Sequence, residues 1–288
     1  VAACREIHVE NRWVSERRPG TWRTVEEYIL FLKQKKAYEF ATVLSNGARV
    51  LDFGCGSGYG AALLASRADR VVGVDIDEEV IGYCAHRYPK PNLTFQELTS
   101  DYSLSFDDGV FDVVVSFQVI EHIREVAPYL RELKRVLTAH GVLLITTPDR
   151  RHRLFPFQKP WNPEHYREYD PKRLRKELTP FFRSVNILGI YGNRAINTIE
   201  LKRVRRLRLN SITVEPIRRT CKAVLPPGVI TELKRLRAKP VPRRDDTARP
   251  GFACDSIKGL KRKYKLADFY VSDGDEGALD LLAICRAV

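Results

Sequence analysis

Apolar and polar positions change period several times along the chain, and each change predicts an element. Over residues 22–44, Val25, Ile29, Leu32, Lys36 and Phe40 follow helical spacing, and Ser45-Asn46-Gly47 supplies a C-cap. Residues 49–53 then read as a strand, with a helix following to about Arg67. Residues 71–74 are a second β-branched run, and Asp77-Glu78-Glu79 opens the next helix with acids where its dipole favours them. That helix stops before Pro89. Residues 93–95 form a short strand, Asp107-Asp108-Gly109 a turn, and 111–117 a near-continuous apolar run suited to a strand covered on both faces. Val126, Tyr129, Leu130, Leu133, Val136 and Leu137 return to helical spacing, and 142–146 is a fifth strand closed by Pro148.

Strands alternating with helices predict an α/β fold: a doubly wound, mostly parallel sheet with its ligand edge at the strand ends. Beyond Pro148 the pattern loosens. Residues 150–170 mix Pro, aromatic and basic side chains and read as a lid loop; 171–178 is a short helix and 184–191 a sixth strand. Residues 193–265 are a basic insertion, helical in part, with Leu201, Val204 and Leu207 on one side and Ile230, Leu233 and Leu236 later, and loose around Pro240 to Pro250. Residues 278–285 are a last strand, antiparallel beside 184–191. The expected organisation is a helical lid over 1–46, a core over 47–192, the insertion over 193–265, and a closing strand within 266–288, giving a seven-stranded sheet.

Composition narrows the class. The chain is 44% hydrophobic and 30% charged, as expected of a globular protein without a membrane span. The start shows no secretory pattern, and the six cysteines form no C-x-x-C pair, so free thiols in a cytoplasmic setting are expected. The net charge of +13 belongs to one region: residues 201–265 hold 20 Lys/Arg against 5 Asp/Glu. Such a segment suits phosphates of RNA, an anionic membrane face or lipid-linked carrier, or plain solvent. Few aromatics interrupt it between Gly192 and Phe252, which disfavours base stacking and hence RNA.

Candidate chemistry starts at Val50-Leu51-Asp52-Phe53-Gly54-Cys55-Gly56-Ser57-Gly58. A strand breaking into alternate glycines before a helix lets a ligand lie on bare backbone, with unpaired N–H groups at the helix start. The next strand ends in Asp75, a carboxylate placed to take ribose hydroxyls. Residues 56–61 also fit the dinucleotide fingerprint G-x-G-x-x-A. Asp52 argues against that reading, because a carboxylate before the loop repels pyrophosphate but suits an ammonium group.

Five stretches in order (50–58, 71–75, 109–116, 118–122 and 133–147) are together similar to the motifs of class I S-adenosylmethionine-dependent methyltransferases. The resemblance implies the Rossmann-like methyltransferase fold, S-adenosylmethionine as cofactor and S-adenosylhomocysteine as product. It implies that Asp52 and the backbone of Gly54, Cys55, Gly56 and Gly58 face the methionine end, and that Asp75, with Ile76 beside it, takes the ribose. Charge-assisted bonds of that kind contribute roughly 1.5–3 kcal/mol each. Phe117 and Gln118 are the expected contacts from the fourth strand. Where the family carries an acid near the adenine, this chain has Leu98-Thr99-Ser100-Asp101; Thr99, Ser100 and Asp101 are the candidates, Asp101 foremost. The turn before strand five is Ala139-His140-Gly141 in place of Pro-Gly-Gly.

Gln118-Val119-Ile120-Glu121-His122 follows the fourth strand at the expected cofactor edge. Asn162-Pro163-Glu164-His165-Tyr166-Arg167-Glu168-Tyr169 resembles a signature of bacterial methyltransferases that tailor polysaccharides and small molecules, as do Tyr38-Glu39-Phe40-Ala41 and Glu16-Arg17-Arg18-Pro19-Gly20. His122, His165 and Glu121 are therefore the candidate catalytic residues, for O-methylation of a sugar or small hydroxylated metabolite. Small-RNA 2′-O-methyltransferases share part of the pattern, with a metal held at the positions of Gln118, Glu121, His122 and His165. The amide at Gln118 removes a charge from that donor set, and no metal is assigned. A cofactor-binding scaffold docked to an anionic surface is the non-enzymatic alternative.

Overall fold

The structure is a computed structural model describing Trp22, residues 24–98, 102–224, 257–274 and 276–287. Helix α1 (Val25–Leu44) starts where the Thr24 side chain accepts from the Glu27 N–H, with Glu26 and Glu27 at its positive end. It buries Tyr28, Ile29, Leu32, Ala37, Tyr38 and Ala41 along one stripe, so it forms a layer of the core. Then follow β1 (Arg49–Phe53), α2 (Tyr59–Leu64), β2 (Arg70–Asp75), α3 (Glu78–Arg87), β3 (Leu93–Glu97) and β4 (Phe111–Phe117). A single tight turn of helix spans Ile120–His122 before α4 (Val126–Val136) and β5 (Leu137–Pro148). The second half adds α5 (Arg150–Arg153), α6 (Pro171–Leu178), β6 (Ser184–Gly192), α7 (Arg194–Val224), α8 (Ile257–Lys263), β7 (Phe269–Ser272) and β8 (Asp280–Arg286).

The strands form one sheet in the order β3-β2-β1-β4-β5-β8-β6-β7. β1 to β5 are parallel; β8 enters antiparallel between β5 and β6, pairing Leu143 with Cys285 on one side and Ile187 with Ala283 on the other. Alternate residues of each strand feed opposite faces: Val50 joins the core under α1 and α2, and Leu51 the core under α4 and α6. The order reverses between β1 and β4, so a crevice opens at the carboxyl ends of these two strands.

Two expectations are corrected. The sheet has eight strands, not seven, because β7 adds to the outer edge of β6. With only four residues, its alternation of buried Phe269 and exposed Tyr270 was too short to register beside the basic insertion. The last strand lies antiparallel beside β6, as expected, and pairs on its other side with β5. On α7, Leu201 does not share the buried face with Val204: it is 51% exposed, and Ile196, Glu200, Arg203 and Val204 turn inward. A buried ion pair, with Arg203 donating twice to Glu200 at 2.7 Å, rotates the helix away from its simple apolar stripe. The amino-terminal residues before Trp22, the stretch around Ile230 to Pro250, and Thr99, Ser100 and Asp101 lie outside the described residues.

Candidate active site

The crevice has two sides. On the first, β1 delivers Asp52 to the strand end, fully buried, where the Tyr38 hydroxyl donates to its carboxylate oxygens at 3.1 and 3.2 Å. Burial pushes the Asp52 carboxyl up to about 7, with nearby Asp75 adding to the rise and Tyr38 opposing it. The loop then turns through Gly54, Gly56 and Gly58, all at positive φ. An added Cβ at Gly56 would meet nothing within 4 Å, so the backbone there faces open space, whereas at Gly58 it would strike Cys84 Sγ at 2.7 Å. Cys55 packs beneath the loop, 4% exposed. The Ser57 hydroxyl is buried with no hydrogen-bond partner among the described residues, an orphan at the lip of the same space.

Asp75 closes β2 across from the loop. Its carboxylate accepts from the Gly56 N–H at 2.8 Å and the Asp77 N–H at 3.3 Å, which ties the loop to the second strand. Burial raises its pKa against those bonds. Ile76 beside it is 67% exposed, an apolar surface standing at the crevice edge. Gly60 lets α1 approach: a Cβ there would lie 2.0 Å from the Tyr38 ring, so the ring that holds Asp52 rests on bare backbone. Phe117 stands edge-on to Tyr38 at 4.8 Å and is buried.

The second side gathers at the ends of β4, β5 and β8. Gln118 takes a positive φ of 59°, and its amide donates to Thr146 Oγ1 at 3.3 Å and Asp280 Oδ2 at 3.2 Å, so its side chain turns from the glycine loop. Glu121, 1% exposed, accepts from the Thr147 hydroxyl at 3.0 Å, and burial pushes its carboxyl up to about 7. The lid loop is pinned above it, with the Tyr166 N–H donating to the Glu121 carbonyl at 2.9 Å. That strap brings His165 edge-to-face against His122, ring centroids 4.7 Å apart. Ligand-capable atoms of Glu121, His122 and His165 lie within 4.8 Å of one another.

These groups stand on a buried ionic frame. His165 Nδ1 meets Glu168 Oε1 at 3.0 Å, and Arg153 Nε donates to both oxygens of Glu168 at 3.1 Å. The Arg153 guanidinium lies over Trp161 at 4.1 Å. Lys33 of α1 donates to Asp280 Oδ1 at 2.7 Å and stands 3.9 Å from Glu200. Tyr38, Lys33, Thr147, Arg153, Glu168 and Asp280 join the candidate site without being among the residues expected from sequence. Tyr38 and Glu168 lie inside the stretches 38–41 and 162–169 that carry the resemblance. Asp280, a lone acid in an apolar strand, was a visible signal, because a buried carboxylate needs a partner. Nothing marked Lys33.

Comparison with known proteins agrees with this geometry. A methyltransferase-domain family model matches residues 51–145, the span from β1 to β5. A protein of Mycolicibacterium smegmatis named as an S-adenosylmethionine-dependent methyltransferase is 35% identical over 62% of this chain and 68% of its own length. A protein of the same description from Mycobacterium tuberculosis is 36% identical, and the chain spans only about half of it, 55%. A ubiquinone biosynthesis O-methyltransferase of Aeromonas salmonicida is 30% identical over 36% of this chain and 44% of its own. Among solved structures, an S-adenosylmethionine-dependent methyltransferase of Thermotoga maritima shares the fold at TM-score 0.54, covering 96% of this chain and 99% of its own at 14% identity. The chain belongs to the S-adenosylmethionine-dependent methyltransferases, a family whose cofactor is S-adenosylmethionine.

Proposed function

We propose that this protein methylates a hydroxyl group of a sugar or other small hydroxylated metabolite. The observation that carries this reading is the His122–His165 pair at the strand ends, with one imidazole oriented by buried Glu168. Methylating a hydroxyl requires removal of its proton, and a positioned imidazole accelerates such steps by ~10²–10⁴-fold. A neutral amine needs less of this help, so a built proton-handling group favours oxygen. The relative from Aeromonas salmonicida, named as an O-methyltransferase, supports the same choice.

When bound, S-adenosylmethionine supplies a methyl made electrophilic by its sulfonium. The residues fit such a molecule: open backbone at Gly56, the orphan Ser57 hydroxyl, buried Asp52 for an ammonium, Asp75 for ribose hydroxyls and exposed Ile76 for the base. The protein's remaining work is alignment and proton removal. In the exchange a C–O bond forms as an S–C bond breaks, and the hydroxyl proton leaves through the Glu121–His122–His165 cluster.

The acceptor's carrier is assigned to the anionic class. The outward face of α7 carries Lys202, Arg205 and Arg206 among exposed Leu201, Leu209 and Ile212, with no acid between 201 and 213. Phe157, fully exposed, stands on the loop that Gln158 ties to Ser211 of the same helix. An anionic membrane face or a lipid-linked glycan suits this mixture. No helix among the described residues is long and apolar enough to cross a membrane. The buried free thiols of Cys55, Cys84 and Cys285 suit a reducing, cytoplasmic setting. RNA 2′-O-methylation is the second reading, favoured by the Glu121–His122–His165 grouping and disfavoured by the lack of any aromatic residue in α7.

Incubation with methyl-labelled cofactor and separate pools of glycans, small metabolites and RNA tests the choice. Label is expected in a hydroxylated small molecule as an ether. Label in RNA or on an amine overturns it, and S-adenosylhomocysteine binding without label in any pool replaces it with a scaffold role.

A further inference from the structure

Glu121, His122 and His165 do more than stand close. Each of two members is held by its own buried partner. His165 Nδ1 faces Glu168, which is 2% exposed and clamped by Arg153. An imidazole whose Nδ1–H donates to a carboxylate presents the lone pair of Nε2 on its other side. Glu121 accepts from the buried Thr147 hydroxyl through Oε2. Carboxylate behind histidine and hydroxyl behind carboxylate is the supporting arrangement of a metal centre, where outer groups fix the ligands' orientation.

We propose that Glu121, His122 and His165 bind one divalent transition-metal cation of the zinc or manganese class. Two imidazoles and one carboxylate suit such ions better than Mg²⁺ or Ca²⁺, which favour all-oxygen shells. Gln118 is left out of the set, because its Nε2 donates to Thr146 and Asp280 and holds the amide toward them. The set is therefore three protein ligands, the number that leaves coordination positions open for small oxygen donors. This deepens the proposed function and rests on it: the cation takes the acceptor hydroxyl as a further ligand, lowers that hydroxyl's pKa, and aligns its oxygen at the edge of the cofactor crevice. With both imidazoles ligating, the cation rather than a free imidazole activates the hydroxyl, and its proton passes to solvent.

The test uses the full chain, stripped with chelator, and Mn²⁺ as probe, since buried Cys55 and Cys84 are thiol ligands that favour Zn²⁺. Calorimetry and manganese paramagnetic resonance should report one Mn²⁺ per chain. His165→Ala should abolish this binding, and Glu168→Gln should weaken it by about 10–100-fold. S-adenosylhomocysteine binding, measured on the same samples, should be unchanged in both, which shows that they are folded. Mn²⁺ bound equally well by wild type and His165→Ala overturns the site, as does no stoichiometric binding to a stripped protein that still binds S-adenosylhomocysteine. Full methyl transfer by the stripped protein also overturns it, while leaving the hydroxyl acceptor and the imidazole pair standing.

Discussion

The two sides of the crevice are assembled over different distances along the chain. On the cofactor side, Asp52, the glycine loop and Asp75 belong to one strand-loop-helix-strand unit, and Gly56 meets Asp75 only 19 residues away. On the acceptor side, Glu121 meets Thr147 across 26 residues, Gln118 meets Asp280 across 162, and Lys33 meets Asp280 across 247. The first side is a backbone device that needs glycine at fixed offsets. The second is a side-chain device whose parts come from α1, β4, β5, the lid and β8. The proposed function thus assigns binding of the common cofactor and handling of the acceptor to physically separate parts, and substitutions should separate them.

The sharpest break comes from His165→Ala. Loss of an oriented proton-handling or ligating imidazole should lower the methyl-transfer rate by ~10²–10⁴-fold. Cofactor affinity should stay within about twofold, measured by calorimetry on the same protein. Parallel losses in both would erase the distinction between the two sides.

Lys33→Ala probes the frame. Removing one partner of a buried ion pair costs about 3–5 kcal/mol, because the remaining charge is stranded. Here the stranded group is Asp280, whose carboxyl is already raised by burial, with Lys33 opposing the rise. Without Lys33 that pKa climbs further in the folded state. The penalty is small while Asp280 is protonated and grows as pH rises. Urea unfolding at pH 5 and pH 8 should therefore show the larger loss at pH 8.

A smaller effect sharpens the cofactor side. The Asp52 carboxyl, at about 7 when folded, lies above its unfolded value, so its ionisation opposes folding increasingly between about pH 4 and 7. A cationic ligand group beside it reverses that preference. Cofactor affinity should then rise with pH below 7, by up to about tenfold per unit, and level off above it. Asp52→Asn should bind more weakly and lose most of that slope.

Legibility followed the same division. Strands β1 to β5 and their helices were readable because the hydrophobic period is local, and Asp52, Gly56 and Asp75 stood out because glycine and acid fall at strand ends. His122 and His165 were picked out singly, and the structure brings them together. Their supports were not readable: Lys33 looks like any basic residue of a helix, and its value appears only when Asp280 arrives from the last strand. The eighth strand escaped because four residues beside a charged segment carry too little pattern.

Titration of S-adenosylhomocysteine into wild-type and Asp75→Ala protein tests the central claim most directly. The geometry predicts one site per chain, weakened about 10–100-fold by the substitution, corresponding to roughly 1.5–3 kcal/mol of lost charge-assisted bonding to the ribose. Equal affinity in the two proteins would contradict it and place the cofactor somewhere other than the crevice at the carboxyl ends of β1 and β4.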